Sequence, residues 1–206
     1  MPTLLHLDSS PLETSISREL GREFVKTWKT AHADGTVIYR DLAVAAPKPL
    51  DAAWIFSSFT PEASRTAEQT AALAVSDELI GELERADEYV IGVAMHNFSI
   101  PSTLKLWIDQ VSRAGRTFSY GESGPKGLLV NKKATLLIAT GGAYEPGTPF
   151  GAFNFVEPYL LAVLGFLGVT EVKVISVGGT AALMGGKVDR SQFLEPSLEQ
   201  VRTVAA

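Results

Sequence analysis

Three clusters of side chains have the types and spacing to hold a small ligand. Ser9, Ser10, Thr14, Ser15 and Ser17 crowd the segment Asp8–Ser17, directly ahead of a helix expected to begin near Ile16. Hydroxyls and free backbone N–H groups at a helix N-terminus suit an anion, helped by the positive end of the helix dipole. The same residues also suit an ordinary N-cap. Met95-His96-Asn97-Phe98 follows an apolar run. Asn offers a donor and an acceptor to a heterocycle edge, and Phe offers a flat apolar face or a plug for the core. Thr140-Gly141-Gly142 lets backbone approach a planar ligand closely, or else makes a sharp turn.

Other chemistries drop out. None of the 206 residues is cysteine, so there are no disulfides, thiolate nucleophiles, Cys-bound zinc or iron–sulfur clusters. A net charge of -5 argues against nucleic acid as a partner. GxxxxGK[ST] and GxGxxG are both missing, which disfavours a nucleoside triphosphate or a Rossmann-bound dinucleotide. Three widely spaced histidines without HExxH give no reason to expect a metal. His6 reads as a core or edge residue, and His32 as a favourable group at a helix C-terminus. No run approaches the roughly 18 apolar residues of a membrane span, and the N-terminus lacks the charged start of a signal peptide. A cytoplasmic protein without membrane insertion is the expectation.

The elements that must position these clusters alternate. Thr3–Leu7, Thr36–Tyr39, Tyr89–Val93, Lys133–Ala139 and Val172–Val177 read as strands. Helical spacing places Leu20, Phe24 and Trp28 on one face, and Leu104, Trp107, Ile108 and Val111 on another. Pro61–Arg85, the segment carrying Leu160, Val163, Leu164 and Leu167, and Phe193–Val204 complete the helices, with Pro158 in a first turn. Trp54, Phe56 and Phe59 fall in a loop-rich stretch after Pro49, as core filling or as the wall of a pocket or dimer contact. Five strands alternating with helices make an α/β, doubly wound, three-layer parallel sheet in a single domain, 1–206. Ligands bind such sheets beyond the carboxyl ends of the strands, where all three clusters fall.

The first loop, Met95-His96-Asn97-Phe98, the run Pro101–Asp109, Arg113-Ala114-Gly115 and Thr117-Phe118-Ser119-Tyr120 resemble the FMN-dependent NADH azoreductases. These belong to the flavodoxin-like NAD(P)H quinone reductase group. The resemblance covers essentially the whole chain and is most specific from Asn97 to Tyr120. It implies a bound FMN, with Ser10, Ser15, Ile16 and Ser17 on the phosphate. Met95, His96, Asn97 and Phe98 would line the isoalloxazine ring, and Ala139, Thr140, Gly141 and Gly142 its other edge. It implies a homodimer in which Phe118 and Tyr120 reach a substrate pocket shared with the partner. His96 stands where the best-known members carry Tyr, and Ala139-Thr140 where some carry Ser-Arg.

The implied reaction is two-electron, ping-pong hydride transfer from NADH through flavin N5 to a quinone or azo compound. The cofactor does the hard step, so no side chain is assigned as an obligatory acid or base. His96 is either a proton donor near neutrality or a packing residue at the flavin edge. The alternatives are a flavodoxin-type FMN electron carrier without its own small-molecule substrate, and a module that has lost FMN. A long segment between the second and third strands, Pro47–Arg85, is more than a minimal carrier needs.

Overall fold

The computed structural model describes residues 1–206 except Ser123 and Lys187. Five parallel strands form its main sheet: β1 (Thr3–Asp8), β2 (Thr36–Asp41), β3 (Glu88–Ala94), β6 (Lys133–Ala139) and β7 (Glu171–Val177). Their order is β2-β1-β3-β6-β7. A further two strands, β4 (Phe118–Gly121) and β5 (Gly124–Gly127), pair antiparallel as a separate hairpin. The helices are α1 (Ile16–Ala31), α2 (Ala52–Phe59), α3 (Ala67–Arg85), α4 (Ser102–Val111), α5 (Glu157–Leu167) and α6 (Arg190–Ala205).

Central strands read as unbroken apolar runs because helices cover both faces. Leu5 and Leu7 of β1 join one core cluster with α3, α4 and α5 residues, while Leu4 joins the other with Leu20, Phe24 and Trp28 of α1 and Val201 of α6. Burying each such leucine contributes about 1.5–3 kcal/mol. The order reverses between β1 and β3, so the loops leaving their carboxyl ends diverge and open a crevice.

Several expectations are corrected by local chemistry. The aromatic stretch after Pro49 is a helix: Asp51 caps α2 by accepting from the Trp54 backbone N–H at 2.7 Å. Trp54 is buried and donates Nε1–H to Gln110 at 2.9 Å, whereas Phe56 and Phe59 are 72% and 75% exposed, so core filling holds for Trp54 alone. The helix expected over Pro61–Arg85 starts at Ala67, where Thr66 and Gln69 make a capping box. The last helix begins at Arg190, three residues before Phe193, because Asp189 accepts from the Gln192 N–H at 2.8 Å. Pro158 does lie in the first turn of α5. His6 is buried, and His32 ends α1 with its ring stacked on Trp28. Among the described residues, no helix is long and apolar enough to cross a membrane.

Candidate active site

The loop from β1 to α1 is tied down from beneath. Ser9 donates Oγ–H to the Gly92 carbonyl at 2.7 Å, fastening the loop to β3. Gly92 is needed there, since a Cβ would lie 2.9 Å from Asp8 Oδ1 and 3.2 Å from the Ser17 carbonyl oxygen. Arg18, only 4% exposed, donates Nε–H and Nη2–H to the Ser10 carbonyl at 3.0 and 2.7 Å. The same guanidinium binds Asp41 through both carboxylate oxygens at 2.8 Å and meets Asp8 at 3.4 Å. Its bond to Asp41 holds that carboxyl below the usual range. Burial, then the Asp8 charge, pushes the Tyr39 phenol up to about 12, leaving it a neutral donor to Asp8 at 3.0 Å.

Above this clamp, α1 begins without a capping side chain. Ser15 is the N-cap, but its hydroxyl lies 3.0 Å from that of Ser17 and caps no backbone N–H. The first turn of any α-helix leaves N–H groups without intrahelical partners. Here they adjoin an open cleft of about 380 Å³ bordered by Ser10, Ser15 and Ile16.

Met95, His96, Ala139 and Gly141 border the same cleft from the ends of β3 and β6. The Met95 N–H donates to the Ala139 carbonyl at 2.9 Å, locking the two loops together. His96 and Ser99 exchange backbone hydrogen bonds at 2.9 and 3.1 Å around Asn97 and Phe98, whose φ values are 48° and 72°. Two successive positive φ values define a tight hairpin turn of the type that asparagine tolerates and phenylalanine does not. Holding Phe98 there costs about 1–2 kcal/mol. It is opposed by a bond from the Phe155 N–H to the Phe98 carbonyl at 3.1 Å and by ring contacts with Phe153 and Tyr144. A Cβ at Gly141 would meet nothing within 4 Å, so the glycine leaves room on the cleft floor.

A family model described as the flavodoxin-like fold matches residues 2–203. The chain belongs to this family. It is 62% identical over 206 residues to the FMN-dependent NADH:quinone oxidoreductase of Acidobacterium capsulatum, covering 100% of both chains. To FMN-dependent NADH:quinone oxidoreductase 3 of Burkholderia lata it is 45% identical over 204 residues, covering 98% and 99%. The solved azoreductase of Bacillus anthracis str. Sterne superposes with a TM-score of 0.89 at 29% identity, covering 100% of this chain and 99% of that one.

Within this flavodoxin-like chain, the residues singled out in sequence divide into three groups. Ser10, Ser15, Ile16, Met95, His96, Ala139 and Gly141 line the cleft. Ser17 and Thr140 are buried just behind it, with Thr140 donating Oγ1–H to the Gly142 carbonyl at 2.8 Å, and Asn97 and Phe98 form the turn beyond His96. Phe118 and Tyr120 sit in the hairpin, away from the cleft of their own chain. Phe118 packs on Phe166 of α5, and Tyr120 is exposed.

Sequence reasoning missed the wall that follows β7. Thr180, Leu183 and Met184 belong to a 3₁₀ turn beside the cleft, and Arg190 opens α6 at the same wall. The Thr180 N–H and hydroxyl both reach the Thr140 carbonyl, at 3.1 and 3.0 Å. Gly178-Gly179 carries the same paired-glycine signal after a strand as Gly141-Gly142 and would have pointed there.

Proposed function

We propose that the protein is an FMN-dependent NADH:quinone oxidoreductase that also reduces azo compounds. The observation that carries this is the cleft. It joins an uncapped helix N-terminus with serine hydroxyls to an apolar floor at the β1/β3 switch point, in a chain 62% identical end to end to such an enzyme. The donor set fits the cofactor. Ser10, Ser15, Ile16 and Ser17 would hold the phosphate at the start of α1, where the first-turn N–H groups have no intrahelical partners. Met95, His96, Asn97 and Phe98 would line one side of the ring system, and Ala139, Thr140, Gly141 and Gly142 the other, with the space at Gly141 left open for it.

When bound, FMN supplies two-electron chemistry, accepting hydride from NADH and passing two electrons to a quinone or azo acceptor. The chain's work is positioning. Backbone N–H groups and the paired glycine loops fix the ligand in one orientation, which removes much of the entropic cost of aligning reactants. His96 is exposed at the cleft edge, where it would pack against the ring system rather than carry an obligatory proton role.

The exposed Phe56, Phe59 and Tyr120 support a homodimer in which Phe118 and Tyr120 complete a pocket with the partner. A single domain working in the cytoplasm, where its electron donor NADH circulates, completes the reading. The test is anaerobic titration of FMN-loaded protein. NADH should bleach the flavin stoichiometrically, and a quinone should restore the colour. Yellow protein that NADH leaves unbleached would mark an electron carrier, and failure to take up FMN would refute a flavin site.

A further inference from the structure

We propose that Arg190 is a direct phosphate ligand in this cleft and sets its preference for a phosphorylated flavin, with Glu19 acting against it. The assignment rests on the FMN reading above. Arg190 is the first residue of α6, yet its guanidinium reaches across to the start of α1. Nε and Nη2 meet the Glu19 carboxylate at 3.0 and 2.6 Å, and Nη2 meets the Thr14 carbonyl at 3.0 Å. That places it beside Ser10, Ser15 and Ile16, where the anionic end of the ligand would sit.

Charge accounting singles it out. Among the described residues lining the cleft, Arg190 is the only lysine or arginine. A second cation nearby among the described residues, Arg18, is buried against Asp8 and Asp41 and occupied with the Ser10 carbonyl. A flavin phosphate near neutral pH carries close to two negative charges, as phosphate monoesters do. Glu19 lies in the first turn of α1, so its carboxylate and the phosphate would repel unless a cation stands between them. The Arg190 bonds to Glu19 and Thr14 use Nε and Nη2. Nη1 makes none of these bonds, and a guanidinium fork can serve two anions at once. The side chain is 42% exposed, which weakens its pull through solvent screening without abolishing it.

Two substitutions with opposite expected signs separate this role from a structural strap. Apo-protein is titrated with FMN and with riboflavin, following flavin fluorescence. Arg190→Gln should weaken FMN binding about tenfold while moving riboflavin less than about twofold, in keeping with a charge-assisted hydrogen bond partly screened by water. Glu19→Gln should tighten FMN by a few fold, again sparing riboflavin. The preference for FMN over riboflavin should fall with added salt in the unaltered protein and much less in Arg190→Gln. An unchanged FMN-to-riboflavin ratio in Arg190→Gln would overturn the assignment. Equal weakening of FMN by both variants would also overturn it, since the pair would then be a strap between α1 and α6. If the unaltered protein binds FMN no better than riboflavin, the phosphate site itself is misplaced and the underlying reading fails with it.

Discussion

The two ends of the cleft are built on opposite principles. At the serine end, a buried arginine, two carboxylates and a neutral tyrosine fix the Ser10 backbone from below, so the loop has little freedom left. At the other end, beyond His96, stands a strained turn at Asn97 and Phe98 with exposed rings of Phe150 and Phe153 nearby, held by backbone bonds and aromatic contacts without any buried charge. Under the proposed ping-pong reaction, a resident cofactor would need a fixed anchor, and exchange of NADH for a bulky acceptor a yielding wall. On the proposed function, the contrast would give retention of the ligand to one end and choice of acceptor to the other.

The sharpest way to break that contrast is Arg18→Met. It would leave Asp8 and Asp41 packed without their cation, and the expected loss is about 3–5 kcal/mol in urea unfolding, with FMN retention lost as well. A loss below about 1 kcal/mol would show that the clamp is ornamental. Adding Asp8→Asn and Asp41→Asn should recover part of the stability, because the stranded charges are then gone.

A smaller effect comes from acid. Arg18 depresses the Asp41 carboxyl in the folded state. Its contribution is therefore complete above the unfolded carboxylate pKa and is lost as pH falls through the lower folded value. Unfolding midpoints measured down through that range should drop in the unaltered protein and more shallowly in Asp41→Asn. Identical slopes would contradict the clamp's electrostatic basis.

The smallest stability change belongs to the yielding end. Phe98→Gly removes ring contacts but relieves a left-handed conformation, so the net shift should stay within about 1 kcal/mol. Turnover of bulky quinones and azo compounds should slow by a larger factor than FMN affinity falls, since Phe98 is only one of the residues that would line the ring system. A destabilisation above about 2 kcal/mol would mean that Phe98 is a core residue after all.

How much of this was legible in the sequence follows the same divide. Parallel strands buried on both faces announce themselves as apolar runs, and the segments just beyond their carboxyl ends mark the rim, which is why Ser10, Ser15, Met95, His96 and Gly141 line one cleft. Ile16 and Ala139, which line it too, enter as site residues only through the family resemblance. Helix α2 hid because its eight residues, AAWIFSSF, give almost no polar face to set a period. The hairpin hid because Gly124-Pro125-Lys126-Gly127 reads as a turn. Arg18 was invisible as an anchor, since an arginine in the first turn of a helix reads as a solvated surface charge until its burial is seen. Arg190 was missed because its distance from Glu19 along the chain, 171 residues, leaves no local pattern.

The most direct test is a crystal structure of the protein with FMN bound. The phosphate should lie within hydrogen-bonding distance of Ser10 and the Ser15–Ser17 turn, and the ring system between the Met95–Phe98 and Ala139–Gly142 loops. A phosphate found elsewhere, for example in the separate pocket between Pro47, Trp54 and Val75, would contradict the division of the cleft into anchor and yielding wall.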